Sequence, residues 1–241
     1  MITLLNNVPD FSGKALGFIE TKILSNFIAY GTDYPFLCFW QGKNDKKTTS
    51  ILCKFEDTIF ISANDNANFD ELREFLEVIG FSSLQAEESV LKSLGFANFD
   101  EYICLSCDKA FASKYKPSSL NLEALYDVLF KGKDKNLAPP EFEGWYADLS
   151  HRIRHGTAVA VMEKELGGAI ASHITPCSAV ISGVKVANYS QGKGVGKTLI
   201  YNLLSLLSGK KVYTATDCKT ADFYIKCGFN PIGKIGVFKK C

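Results

Sequence analysis

The 241-residue sequence lacks the features that mark several broad classes of protein. Its 27 Lys and Arg face 26 Asp and Glu, and no basic stripe is interleaved with aromatic residues, so we expect no nucleic-acid partner. No run approaches the roughly 18 apolar residues of a membrane-spanning helix, so we expect no membrane partner. The opening residues, MITLLNNVPD, place no basic segment before an apolar run, and a signal peptide is not expected.

The eight cysteines lack the spacing of a disulfide framework or of a zinc site. They are scattered along a chain long enough to build its own core, which favours free thiols in a reducing cytoplasm. Cys104 and Cys107 form one Cys-x-x-Cys pair, but structural zinc needs four ligands and no second pair has suitable spacing. We therefore expect no metal, two ordinary strand cysteines and a cytoplasmic protein.

The chain does contain alternating strand-like and helix-like segments, arranged similarly in its two halves. In each half, three β-forming runs precede a helical pattern: 35–40, 49–55 and 58–63 before 68–81, and 157–163, 167–175 and 178–186 before a helix that continues to 207. Each half then continues with a strand, a short helix and a Gly-Phe pair. This repetition predicts two structurally related domains.

A segment at 112–120 combines Lys, Pro and Ser and is interpreted as a linker. It divides the sequence into an N-terminal α/β domain at 1–118 and a second domain at 119–241. Residues 1–120 carry 11 Lys and Arg against 16 Asp and Glu, whereas residues 121–241 carry 16 against 10. A mildly basic second half suits a small polyanion such as a nucleotide cofactor, and an uneven scatter of surface charge explains the counts equally well.

A glycine-rich stretch, SQGKGVGKTLI at 190–200, lies between a predicted strand and a predicted helix. It is not a P-loop, because the first glycine of that motif would fall on Gln191, and the dinucleotide fingerprint Gly-x-Gly-x-x-Gly fails as well. What remains is Gln191-x-x-Gly194-x-Gly196. Glycines let the backbone approach a ligand closely, and the first N–H groups of a helix attract anions. The stretch therefore predicts a phosphate cradle, with a turn that binds nothing as the alternative.

These residues resemble the signature of the GNAT superfamily of acyl-CoA-dependent N-acetyltransferases. That signature, [Arg/Gln]-x-x-Gly-x-[Gly/Ala], opens a helix after an apolar strand end, and this sequence has Val186 followed by ANYSQGKGVGK. The family's later Tyr-x-x-x-Gly-Phe is matched by Tyr224, Gly228 and Phe229. The resemblance covers 121–240. It implies an α/β (α+β) fold with a mixed, largely antiparallel sheet flanked by helices, beside a smaller N-terminal α/β domain.

The resemblance also implies acetyl-CoA as cosubstrate. Amides of the loop would hold the pyrophosphate, and the strand ending at Val186 would splay from the next strand and pair with the pantetheine amides, as an added strand does. A backbone N–H near Val186 would polarise the thioester carbonyl, and Asp217 stands where the family has an Asn. The implied cofactor-binding residues are Val184, Val186, Gln191, Gly192, Lys193, Gly194, Val195, Gly196, Lys197 and Asp217.

Tyr224 stands where the family places the general acid that protonates the departing thiolate. A phenol has a reference pKa of about 10 and a thiol of about 8.5, so hydrogen-bond donation is expected rather than full proton transfer. The strand at 178–186 has no carboxylate to act as base. His173 on the preceding strand is the candidate, since its reference pKa lies near neutrality. Glu163, Asp217 and a chain of water molecules are the alternatives.

The resemblance thus predicts an N-acyltransferase that moves an acetyl group from acetyl-CoA to a primary amine of a small molecule or peptide, as a monomer or homodimer. The missing carboxylate leaves a non-catalytic acyl-CoA-binding sensor or scaffold as the alternative. The N-terminal half has SANDNANFDELREF in place of a glycine loop, and its Asp residues would repel phosphate. We expect that half to be a degenerate, related domain that does not bind CoA.

Overall fold

The computed structural model describes residues 1–11, 16–109, 120–130, 140–164 and 166–240. Within these ranges no helix is both long and apolar enough to cross a lipid bilayer. The predicted linker at 112–120 lies outside them, apart from its last residue. Internal contacts group the chain into two compact units: unit 1 is Met1–Leu105, Ala215–Asp222 and Pro231–Cys241, and unit 2 is Ser106–Thr214 and Phe223–Asn230.

Most helices and strands follow the predicted segments, whereas the first strand and the first helix have no predicted counterpart. In chain order they are β1 (Ile2–Leu4), α1 (Phe18–Tyr30), β2 (Leu37–Asn44), β3 (Lys47–Phe55), β4 (Thr58–Ala63), α2 (Phe69–Ile79), β5 (Ser83–Glu87), α3 (Glu88–Ser93), β6 (Asp100–Cys107), α4 (Leu122–Phe130), α5 (Phe142–Arg154), β7 (Val159–Met162), β8 (Gly167–Ile174), β9 (Ser178–Val186), α6 (Val195–Leu206), β10 (Lys211–Thr216), α7 (Cys218–Lys226) and β11 (Asn230–Lys239). A 3₁₀ turn at Asn188–Ser190 precedes α6. The strands 58–63 and 178–186 have the predicted bounds.

Unit 1 contains a mixed sheet built on an antiparallel meander. β1 pairs antiparallel with β2, and β2, β3 and β4 follow one another antiparallel. The chain then crosses through α2, and β5 pairs parallel with β4 from Thr58↔Ser83 to Ile61↔Ala86. β11 pairs antiparallel with β5. The last strand of the chain therefore belongs to the sheet of unit 1.

The core of unit 1 lies between this sheet and the helices α2 and α3. Leu72 and Leu76, one turn apart on α2, are both buried against strand residues. The α2 helix begins at a side-chain cap, where Asn68 accepts from the Glu71 N–H, and it ends at Gly80 with a φ of 63°. The buried cluster comprises Leu52, Ile59, Ile61, Leu72, Leu76, Leu84, Ala86, Val90, Leu91 and Leu94.

The helix α1 has a different interior face, and the apolar spacing of the sequence does not predict it. Its buried residues include four polar ones: Glu20, Thr21, Ser25 and Asn26, each at most 1% exposed. Because polar and apolar residues mix on the buried side, the helix shows no clear amphipathic pattern. Polar side chains buried in this way require hydrogen-bond partners, which come from the strands of unit 1 for Glu20 and Asn26 and from the start of α1 itself for Thr21.

Unit 2 contains a second antiparallel meander, formed by β7, β8 and β9. The chain crosses through α6, and β10 then pairs parallel with β9. Helices cover both faces of β8, because a Cβ atom at Gly168 would meet Leu125 of α4 and one at Gly167 would meet Leu199 of α6. The core on the α4 side comprises Leu125, Leu149, Ala158 and Ile170.

The predicted fold class is confirmed, because the sheets are mixed, largely antiparallel and flanked by helices. Both halves of the chain run through three antiparallel strands, a helix, a parallel strand and a short helix. The compact units differ from the predicted division at residues 118 and 119, since β11 joins unit 1. That division stays a prediction about sequence modules.

Candidate functional site

The parallel pairing of β9 with β10 in unit 2 ends early. It joins three residue pairs, the last of which is Tyr213↔Val180, whereas β9 continues to Val186. From Ile181 onward, one edge of β9 therefore has no strand pairing among the described residues. We term this opening the wedge and its closed end, at Tyr213↔Val180, the apex. An unpaired strand edge of this kind can bind an extended ligand through main-chain hydrogen bonds.

A β-bulge lies beside the apex. The register of the β8–β9 ladder shifts so that Ser172 and Ser182 fall between paired residues. The Ser172 N–H donates to Ser182 Oγ at 3.0 Å, and the two hydroxyl oxygens lie 2.5 Å apart. Bulges redirect the backbone and side chains of a strand, and they are common beside active sites. Here the bulge exposes Ser182 next to the apex.

The predicted glycine loop forms an open turn into α6. Gly192 and Gly194 have positive φ values of 75° and 82°, and a Cβ atom at either residue would meet nothing within 4 Å. The backbone hydrogen bonds of α6 start with the Thr198 N–H, which donates to the Gly194 carbonyl at 3.1 Å. The N–H groups of residues 195–197 have no acceptor within the helix, and they lie at the positive end of its dipole. This arrangement can bind an anion.

The polar side chains of the loop lie around this turn. Gln191 Nε2 donates to Asn188 Oδ1 at 3.2 Å, so the signature glutamine steadies the turn that precedes the glycines. Lys193 and Lys197 are both exposed, and the Lys197 ammonium lies 5.4 Å from the centroid of the Tyr201 ring. Two lysines beside free helix N–H groups add positive charge where an anion would bind.

Gly196 serves packing. A Cβ atom at this residue would lie 3.2 Å from the Phe223 ring and 3.4 Å from Val186 Cγ2. The missing side chain therefore lets the first turn of α6 approach the end of β9. Val184, Val186 and Val195 are half-buried.

Tyr224 is held at the apex of the wedge. Its side chain is 6% exposed, and its ring packs against Phe229 at 5.6 Å. Its hydroxyl is hydrogen bonded to the side chain of Thr214, and Thr214 Oγ1 donates to the Ile181 carbonyl at 3.4 Å. Thr214 and Ile181 are the first residues beyond the last strand pair. Burial raises the pKa of Tyr224 above its usual value, although the hydrogen bond to Thr214 acts in the opposite direction, so the phenol keeps its proton at neutral pH.

The open end of the wedge lies far from Tyr224. Val186 lies six positions after Val180 on β9, which corresponds to about 20 Å of strand. Glu163 lies at this open end, because its N–H donates to the carbonyl of Gly167 and Gly167 pairs with Val186. The Glu163 carboxylate is therefore remote from the apex and poorly placed to act as a base there.

His173 lies one strand away from the apex, where it pairs with Val180. Arg152 is buried on α5, and its Nε donates to Asp148 Oδ1 at 2.8 Å. The Nη1 atom of the same guanidinium lies 3.5 Å from His173 Nδ1. A guanidinium can only donate, so His173 Nδ1 accepts, and the proton of the neutral ring resides on Nε2. In this tautomer the imidazole presents a donor through Nε2, which is the opposite of what a general base requires.

Asp217 caps a helix. Its Oδ1 accepts from the Thr220 N–H at 2.8 Å, at the start of α7. The hydrogen bonds from Thr220 lower the pKa of the Asp217 carboxyl, with smaller contributions from Lys219. Helix capping is therefore enough to explain why an Asp stands at this position. Contact of Asp217 with a cofactor stays a prediction.

Two features of the apex escaped the sequence analysis: Thr214, which links Tyr224 to β9, and the bulge at Ser182. No local sequence signal marks either one, because both depend on the register between strands. Cys104 and Cys107 are buried on β6 and form no disulfide bond. In the part of the chain that the structure describes, no group of three or more His, Cys, Asp or Glu side chains is placed to hold a metal.

The corresponding region of unit 1 is closed. Pairing of β4 with β5 extends to Ile61↔Ala86, two residues before the end of β4. At the start of α2, the Asn68 side chain accepts from the Glu71 N–H, and the carboxylate of Glu71 accepts from the Ile2 N–H at 2.9 Å. The helix start therefore carries a cap and a carboxylate of its own, and the expectation that this half does not bind CoA stays a prediction.

No family model matches the chain, and no curated protein matches it in sequence. Solved structures do match it over most of its length. A GCN5-related N-acetyltransferase from Sphaerobacter thermophilus has a TM-score of 0.57 at 12% identity, covering 92% of this chain and 85% of its own. A GNAT-family acetyltransferase from Colwellia psychrerythraea has a TM-score of 0.53 at 13% identity, covering 100% of both chains.

The chain has the GNAT fold. This confirms the resemblance drawn from the sequence at the level of fold, which is what likeness at such low identity shows. A tandem GNAT protein from the clavulanic acid biosynthesis pathway also matches, with a TM-score of 0.55 at 12% identity, covering 89% of this chain and 87% of its own. A tandem neighbour fits an arrangement of two GNAT-like halves in one chain.

Proposed function

We propose that unit 2 binds acetyl-CoA and transfers its acetyl group to a primary amine by direct attack. The observation that carries this proposal is the wedge between β9 and β10, which opens toward the free N–H groups at the start of α6. Unit 1 offers an internal comparison, since its equivalent strands pair further and its helix start carries its own cap. An extended amide-bearing chain with a diphosphate at one end complements the wedge and helix start of unit 2, and it does not complement the paired strands and capped helix start of unit 1.

The binding roles follow from the geometry of the loop and strand. The amides between Gly192 and Lys197 would donate to the pyrophosphate, with Lys193 and Lys197 adding charge. The unpaired edge of β9, including Val184 and Val186, would pair with the pantetheine amides. The thioester would then lie at the apex. Acetyl-CoA supplies the activated acetyl carbonyl and a thiolate leaving group.

The chemical roles belong to the residues at the apex. The amine forms the new C–N bond as the C–S bond breaks, its proton passes to solvent, and the thiolate takes up a proton. Tyr224, neutral at physiological pH, would exchange its hydrogen bond to Thr214 Oγ1 for one to the departing sulfur. The bulge at Ser182 supplies the backbone N–H that polarises the carbonyl, since an amide near Val186 is too far from Tyr224 to share one thioester. Most of the acceleration comes from holding the two reactants together.

A calorimetric titration with acetyl-CoA tests the cofactor assignment. Gly194→Trp should abolish binding, because a large side chain would enter the open space over the free N–H groups. Gly209→Trp is a matched control, since Gly209 also has a φ of 82° and also has no atom within 4 Å of an added Cβ. It carries the same backbone strain outside the loop. Absence of binding by the wild type, or equal binding by both variants, would refute the assignment.

A non-catalytic acyl-CoA sensor is the second candidate, and one observation favours it. β9 carries no carboxylate, and the contact with Arg152 makes His173 a donor rather than a base. Release of free thiol from acetyl-CoA across a panel of primary amines distinguishes the two functions. Amine-dependent release supports the enzyme, and tight binding without release supports the sensor.

A further inference from the structure

Unit 1 contains a polar cavity of its own. Its volume is about 470 Å³, which falls within the range of small-molecule sites in proteins. The lining comes from the β2–β3 turn, from β3, from the end of β4 and from the segment before α1: Asp10, Phe11, Lys46, Lys47, Thr48, Thr49, Ser50, Ile51, Ser62, Ala63 and Asn64. Four of these side chains are hydroxyls and two are lysines. This cavity is distinct from the capped start of α2, which is the part of unit 1 that corresponds to the glycine loop of unit 2.

The hydroxyls on the floor of the cavity present acceptors. Ser62 Oγ donates to Glu20 Oε1 at 2.6 Å, and Thr49 Oγ1 donates to the carbonyl of Gly42 at 3.3 Å. A hydroxyl whose single proton is already donated can only accept from a further partner. The floor therefore suits a ligand with N–H or O–H donors.

A carboxyl group whose two oxygens both accept hydrogen bonds lies directly behind the floor. Glu20 is 1% exposed, and its other carboxylate oxygen accepts from the Gly17 N–H at 3.1 Å. A carboxylate held in this buried position favours a cationic donor over a neutral one at Ser62. An ammonium group, with three donors and a positive charge, meets both requirements.

The rim has the opposite character. Lys46 and Lys47 both line the cavity at the β2–β3 turn, although Asp10 is also present in the lining. Asp45 and Lys46 have φ values of 48° and 66°, because a two-residue hairpin turn places both of its central residues in the left-handed region. Two ammonium groups at the rim would attract a carboxylate.

The register of the sheet sets the distance between the two ends. Ser62 lies opposite Ile51, and Lys47 precedes Ile51 by four residues on β3. That separation is about 13 Å along the strand, before the reach of the lysine side chain is taken into account. An extended peptide spans about 3.5 Å per residue. Because the lysine side chains reach toward Ser62 and shorten the gap, the termini of a di- or tripeptide can bridge it, and those of a single amino acid are too close together.

We propose that this cavity binds a short peptide with free termini, its ammonium group at Ser62, in front of the buried Glu20, and its carboxylate at Lys46 and Lys47. The site is separate from the wedge of unit 2 and does not depend on the proposed acyltransferase. It would give the N-terminal half, which carries no CoA loop, a ligand of its own.

The experiment is a calorimetric titration of the full chain with trialanine, without acetyl-CoA. N-acetyl-trialanine and trialanine amide each remove one charged terminus, and each should bind about tenfold more weakly or worse. Ribose 5-phosphate, an anion rich in hydroxyls, should bind more weakly than trialanine. Tighter binding of the sugar phosphate, equal binding of the capped peptides, or no binding of trialanine overturns the proposal.

Variants keep the test independent of folding. Lys46→Gly relieves a positive φ, so the variant should fold at least as stably as the wild type yet bind trialanine about tenfold more weakly. Lys164→Gly is its matched control, a lysine with a φ of 49° in unit 2. Ser62→Ala should weaken trialanine without changing the affinity of N-acetyl-trialanine, which lacks the ammonium. Undiminished binding by Lys46→Gly and Ser62→Ala would also overturn the proposal.

Discussion

Removing the Tyr224 hydroxyl should separate catalysis from binding. In Tyr224→Phe the ring keeps its contact with Phe229, so no cavity forms. The variant loses the hydrogen bond to Thr214, at a cost of about 0.5–1.5 kcal/mol of unfolding free energy. Turnover should fall about a hundredfold or more, as expected when a positioned proton donor is lost. Affinity for acetyl-CoA should stay unchanged, because the loop is untouched.

The assay measures kcat by thiol release and the dissociation constant by calorimetry on the same preparations. Tyr126→Phe is the control, since Tyr126 is also buried, at 7% exposure, and its hydroxyl donates to the Pro140 carbonyl at 2.6 Å. It should lose comparable stability and keep its kcat. A Tyr224→Phe enzyme with wild-type kcat, or with kcat lowered only as far as in Tyr126→Phe, refutes the assigned role.

The pH dependence of stability gives a second measure of the same hydroxyl. Burial raises the pKa of Tyr224 in the folded protein above its unfolded value near 10. A raised pKa means that the folded state favours the neutral phenol. The stability that this group contributes is therefore complete below about pH 10 and is lost as the pH rises further. The difference in unfolding free energy between wild type and Tyr224→Phe should shrink above pH 10, as urea titrations at increasing pH would show, and a constant difference contradicts the burial argument.

Two further predictions concern the scaffold. Gly236→Ala should lower the free energy of unfolding, measured by chemical denaturation, by about 1–3 kcal/mol. The added Cβ would overlap the fully buried Leu91 and would lie 2.8 Å from the Phe99 ring. A variant as stable as the wild type would contradict this packing. Asp217→Ala should lower the free energy of unfolding by about 1 kcal/mol, because the Thr220 N–H loses its cap. Asp217→Asn keeps an acceptor oxygen and should lower it much less. Equal losses in the two variants would show that the carboxylate charge matters more than the cap.

The sequence was most informative where local chemistry decides the structure. Gly192 and Gly194 stand where the backbone adopts positive φ, and the apolar spacing of 68–81 predicts α2 because Leu72 and Leu76 pack one turn apart. The helix α1 could not be found in this way, since its buried side carries Glu20 and other polar residues. Glu20 and Asn26 are hydrogen bonded to strand residues that lie 42 and 27 positions away along the chain.

The site shows the same division between local and non-local information. The motif residues of the loop could be predicted because a helix start and a glycine turn are local. The early end of pairing after Tyr213↔Val180, the bulge at Ser182 and the bridge through Thr214 depend on register between distant strands. The base could not be assigned for a related reason, since only the fold reveals that Arg152 occupies Nδ1 of His173.

The pairing of β11 with β5 bears on how the protein is made. Ile235 aligns with Glu87, so about 150 residues must be synthesised after β5 before its partner strand exists. At typical elongation rates this takes on the order of ten seconds. During that interval β5 leaves the ribosome with one edge bare, and such an edge is prone to pair with other chains. Completion of the first sheet thus waits for the synthesis of β11, and until then the exposed edge of β5 is an aggregation risk for the nascent chain.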